Sequence, residues 1–138
     1  MGKALISKHF LVTLLFFIAA IYIVGNLDFL FLEIWWFDIP MHFLGGVFLG
    51  LLFLLYFKKY FSNFDREKIF IQIIIILGFV LTIGVGWEIF EFLLEQVSIL
   101  KDMDLMRMTV GDTLKDLAMD SLGGIFIAVI YGAKAKND

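Results

Sequence analysis

Four apolar stretches, at about residues 9–26, 39–57, 69–96 and 113–133, dominate the chain. Each reaches or nearly reaches the roughly 20 residues that cross a hydrocarbon core of about 30 Å. Backbone in lipid has no water to bond, so such stretches fold as helices with their polar groups paired internally. Composition agrees: 62% of the 138 residues are hydrophobic and 18% are charged, against roughly 45–50% apolar in a soluble domain. The expectation is an all-α, polytopic membrane protein, a single transmembrane domain over 1–138 with four spanning helices. The first stretch follows Lys3 and Lys8 and has no convincing small-x-small site before Asn26, which reads as a retained signal anchor. The 27–37 connection, with Trp35 and Trp36, is too apolar for a free loop and is expected in the interface. The 97–112 stretch reads as a second interfacial or partly helical loop, whereas 58–68 is aqueous. The absence of cysteine removes thiolate and disulfide chemistry. Lys and Arg form no stripe on a soluble face, so no nucleic-acid partner is expected.

Charge sets the orientation, because Lys and Arg near helix ends are retained in the cytoplasm. Lys3, Lys8, Lys58, Lys59, Arg66, Lys68, Lys134 and Lys136 gather on one side of this topology. Only Lys101, Arg107 and Lys115 fall on the other, beside Asp28, Glu33, Asp38, Glu88, Glu91, Glu95, Asp102, Asp104, Asp112, Asp116 and Asp120. Both termini and the 58–68 loop are therefore expected in the cytoplasm, and the acidic end outside, in a multi-pass protein of the plasma (inner) membrane.

An internal repeat underlies this plan. Residues 38–50 (DIPMHFLGGVFLG) align without gaps to 116–128 (DLAMDSLGGIFIA), with six of thirteen positions identical. Both segments enter the membrane from the same side, as in a duplicated helical hairpin. In the first copy Asp38 and His42 share a helix face; in the second Asp116 and Asp120 do. Each pair is followed by two glycines that admit a close neighbour. Glu88, Glu91 and Glu95 lie on one face of the third helix, with Glu88 about 28 Å along it, near the far edge of the hydrocarbon core. These acidic faces are thus expected at one depth.

A carboxylate at a helix centre costs roughly 2.5–3.5 kcal/mol on insertion scales, so such residues pair or face water. Outer cations are too few to pair them all. Repulsion and desolvation would be relieved by a divalent metal or by shared protons. Asp38, His42, Glu88, Glu91, Asp116 and Asp120 are the candidate metal ligands, with Glu88, Glu91 and His42 as candidate catalytic groups. Structural readings compete: Asp38 and Asp112 also suit the N-caps of helices two and four, and Glu95, Asp102 and Asp104 suit a solvated face. His9, Trp35, Trp36 and Trp87 read as interfacial anchors or packing.

The segments DIPMHFLGG (38–46), GWEIFE (86–91) and GDTLKDLAMDSLGG (111–124) together resemble the YjdF-like and VanZ-like bacterial membrane proteins, the YjdF-like match being closer. The resemblance covers roughly 35–130. It implies a bacterial plasma-membrane protein of poorly defined activity, whose VanZ-like relatives are linked to resistance against the glycopeptide teicoplanin.

Three functions compete. The first is a metal-dependent centre acting on a lipid or polyprenyl-phosphate headgroup in the outer leaflet, where the cation polarises an oxygen and a carboxylate or His42 is general base. The second is non-catalytic binding or transport of a cation, proton or amphiphile. The third is a structural subunit whose polar groups join helices. The bilayer is the partner in every case, and four thin helices with exposed glycine pairs are compatible with a homodimer.

Overall fold

A computed structural model of the chain describes residues 7–27, 34, 36–96 and 109–135. Asp28, Glu33, Trp35, Lys101, Asp102, Asp104 and Arg107 lie outside the described residues, and with them most of the two segments expected at the interface. The main elements are α1 (Lys8–Leu27), α2 (Asp38–Leu52), α3 (Ile69–Glu95) and α4 (Val110–Ala135). Four helices are long and apolar enough to span a bilayer among the described residues. Lys8–Gly25, Ile69–Leu94 and Val110–Ala133 do so as α-helix throughout. The second span, Asp38–Tyr60, continues from α2 through a π-helical turn at Phe53–Phe57 and a 3₁₀ turn at Lys58–Tyr60.

Helix starts follow local chemistry. Ser7 caps α1, its hydroxyl accepting from the Phe10 N–H at 3.0 Å. Thr109 does the same for α4, accepting from the Asp112 N–H at 3.1 Å. Between the second and third spans Asn63 adopts a left-handed φ of 62°, a conformation that asparagine tolerates better than most residues. The turn is tied down from both sides. Lys58 donates to both Asp65 oxygens at 3.0 Å and to the Tyr131 hydroxyl at 2.7 Å, while Gln72 donates to the Phe64 carbonyl at 2.9 Å.

The closest partners are α2 and α4; α3 packs mainly on α4, and α1 on α2. Glycine sets the central crossing. A Cβ at Gly46 would collide with the Asp120 carbonyl, and one at Gly123 would lie 2.7 Å from the Val47 nitrogen. These glycines are therefore used inside the chain, where Gly46, Gly123 and Gly124 are buried. The apolar core, Leu11, Leu51, Phe53, Leu54, Phe64, Ile76, Val80, Ile127 and Ala128, gathers toward the 58–68 turn. Phe53 anchors it, with ring centroids of Phe61, Phe64 and Phe79 at 5.4, 5.5 and 5.5 Å. The opposite half of the bundle holds the buried ionisable groups His42, Glu88, Asp116 and Asp120.

Candidate functional site

At the end away from that core, the first turns of α2 and α4 meet the last turns of α3. Neither aspartate expected as an N-cap serves as one. Phe37 occupies the N-cap of α2 in helical conformation without a side-chain cap bond, and Thr109 caps α4, which leaves Asp112 in its first turn. Both carboxylates are thereby free for side-chain contacts. Asp38 uses its freedom one turn on, with Oδ1 3.5 Å from His42 Nε2. Pro40 falls in the first turn of α2, where no backbone N–H is required of it.

His42 is the hub. Besides Asp38, its Nε2 lies 4.0 Å from Asp116 Oδ2, and its Nδ1 lies 3.4 Å from Asp120 Oδ1. Asp120 fits because two neighbours lack side chains. A Cβ at Gly84 would stand 2.7 Å from Asp120 Oδ2, and one at Gly45 would stand 3.5 Å from Oδ1. Glu88 and Glu91, three residues apart on α3, complete the cluster. Asp38, His42 and Asp116 bring ligand atoms within 4.8 Å of one another, and so do His42, Glu88 and Glu91. All six residues singled out from the sequence are thus brought together at one end of the bundle. Glu95 closes α3, but its side chain lies outside the described residues. His9 is exposed near the start of α1, away from the cluster, and Trp36 is exposed beside α2.

The cluster is buried and unevenly neutralised. Exposure falls from Asp112 (44%) through Lys115 (31%) and Asp38 (29%) to Asp116 and Asp120 (6% each). Lys115 sits 2.6 Å from Asp112, 3.4 Å from Asp116 and 3.9 Å from Asp38. It therefore serves the α2–α4 side. Glu88 is 95% buried, being 5% exposed, yet neither of its oxygens has a hydrogen-bond partner among the described residues. Thr113 approaches without meeting hydrogen-bond geometry. A carboxylate left so is expensive in a low-dielectric setting. Chemically, the arrangement offers hard oxygen ligands with one imidazole to a cation, and spare carboxylates to hold a proton.

Some neighbours of the site escape sequence reasoning. Lys115 is legible as an outer cation, but its approach to Asp38 at 3.9 Å is not, because that depends on the rotation of α4 against α2. Thr109 to Asp112, a hydroxyl residue three before an acid, carries the capping signal that would have moved the helix start. Trp87 and Tyr22, rings at 5.9 Å, border a cavity of about 370 Å³ that opens beside His42. Nothing in the sequence relates those two rings.

A family model described as "Predicted membrane protein (DUF2238)" matches residues 5–137. No curated protein and no solved structure matches.

Proposed function

The chain belongs to the DUF2238 family of predicted membrane proteins, and on that premise we propose that it is a membrane-embedded divalent-cation centre acting on a lipid or polyprenyl-phosphate headgroup. One observation carries the reading: Glu88 is buried with both oxygens unpartnered, beside His42 and Glu91 at ligand spacing. A cation there would satisfy both glutamates at once. Of the two overlapping triads, His42–Glu88–Glu91 is favoured, because Lys115 already faces Asp116 and Asp38 on the other. Two carboxylates and one imidazole leave open positions on a divalent ion, as in sites that take a substrate phosphate. A carboxylate of the cluster that does not ligate, Asp120 among them, is placed to accept a proton from an attacking water.

The asymmetry of Lys and Arg supports an outward-facing acidic end and a plasma-membrane location. The D-x3-H, E-x2-E and D-x3-D order supports the YjdF-like naming. A second reading, binding of an amphiphilic cation without metal, is favoured by Asp38, Glu91 and Asp120 all lining the cavity.

Elemental analysis of the purified protein, after incubation with Mg²⁺, Mn²⁺ and Zn²⁺, separates the two. The expected result is stoichiometric metal in the wild type and none in a still-folded Glu88→Gln, Asp116→Asn double variant. Equal absence of metal from both would sink the cation centre and leave shared protons or an organic cation.

A further inference from the structure

We propose that the cavity between α1, α2 and α3 holds the hydrocarbon chain of a single-chain lipid phosphate whose phosphate oxygens ligate the cation at His42, Glu88 and Glu91; this rests on the cation centre proposed above. The cavity has two chemistries. Its walls are hydrocarbon, Leu15, Ile18 and Ala19 from α1 facing Phe48 and Leu49 of α2 and Ile83 of α3. At one end stand Asp38, His42, Glu91 and Asp120. A water-soluble ligand would leave the walls without a partner, whereas an amphiphile meets both surfaces.

Size and access point the same way. The volume, about 370 Å³, lies near the lower end of the roughly 300–1,000 Å³ of ordinary ligand sites, which suits one chain rather than two. The wall contributed by α1 belongs to the least buried of the four spans, so the chain would be taken up from the bilayer rather than from water. Glycines at the junction keep it open: Gly45 and Gly84 both line the cavity where walls meet floor. The headgroup follows from charge. No lysine or arginine lines the cavity, and His42 is committed to the cation as a ligand, so an anion finds its counter-charge there in the cation. A hard divalent ion held by one or two carboxylates commonly completes its shell with phosphate oxygens.

The test uses the full chain in maltoside micelles, whose headgroup carries no phosphate. Mn²⁺ binding is measured first, without lipid. Monohexadecyl phosphate, methyl phosphate and hexadecylamine are then titrated with and without Mn²⁺. Two substitutions fill the apolar part without touching the acids: Ala19→Trp, and Ile83→Trp at a position already 39% exposed, kept as a second fill should the first fail to fold. Expected is Mn²⁺ binding in wild type and fills alike, with hexadecyl phosphate bound in an Mn²⁺-dependent way. The wild type should hold it at least about tenfold more tightly than methyl phosphate, and the fills should lose that gain. Equal retention of hexadecyl phosphate by a fill, or no gain over methyl phosphate, overturns the proposal while leaving the cation centre standing. Preferential binding of hexadecylamine without Mn²⁺ overturns the phosphate assignment. Failure of the wild type to bind Mn²⁺ removes the centre itself, and this proposal with it.

Discussion

His42 has a carboxylate beside each ring nitrogen, so its neighbours, more than its own chemistry, decide what it does. Lys115 is the neighbour that competes with a metal. Replacing it with glutamine frees Asp116 and Asp38, and divalent-cation affinity is expected to rise roughly three- to tenfold, read by Mn²⁺ titration. A fall would show that Lys115 positions the site instead of competing for it. At the other end of the molecule Asp65 makes a separate prediction. Burial pushes its carboxyl up, but hydrogen bonds from Tyr131 and Lys58 outweigh that and hold it below its ordinary value of 3.8. A depressed carboxyl stabilises the fold above the ordinary value and ceases to as pH falls through the folded-state one. Asp65→Asn should lower the Tm at neutral pH, and the gap to wild type should close as the pH falls below 3.8 and through the folded-state value. A gap independent of pH would show that charge is not the cause. The Asp38–His42 and Asp116–Asp120 pairs were legible because a spacing of four fixes a shared helix face. Tyr131 as a partner of Asp65, and Asp38 as a partner of Lys115, were not, since each comes from another helix.

Among the elements, the α2–α4 crossing controls the site, because the same contact that seats Gly46 on Asp120 sets the distance from Asp120 to His42. Gly123→Ala drives a methyl into the Phe43 carbonyl. The expected loss is about 1–3 kcal/mol of stability, seen as denaturation at lower SDS mole fraction, together with weakened Mn²⁺ binding. Gly86→Ala is the control: nothing lies within 4 Å of its Cβ, so it should be neutral or gain up to about 1 kcal/mol from helix propensity. Equal sensitivity at both positions would mean that the crossing is not what glycine serves here. The repeated glycine pairs were plain in the sequence, but their direction was not. Apolarity all round a helix leaves no hydrophobic stripe to tell a protein-facing side from a lipid-facing one. The π-helical turn at Phe53–Phe57 was invisible for the same reason, since an unbroken apolar run reads alike in either register.

For the molecule as a whole, the bilayer made the architecture readable: span lengths, their number and the segregation of acids follow from the thickness and polarity of the solvent. How the helices lie side by side is decided by packing, on which hydropathy is silent. Topology is directly testable in a chain without cysteine. Val110→Cys, 79% exposed beside the acidic end, should react with an impermeant maleimide on intact cells, and Ser62→Cys only after permeabilisation. The opposite pattern would invert the proposed orientation. Lys115 has one more consequence. Its ammonium is carried by the chain, so the acidic end has a counter-charge from the moment α4 is synthesised and does not depend on one drawn from solution. On the proposed reading, the Asp38 and Asp116 side can fold before any ion arrives, so ion supply would govern activity rather than assembly.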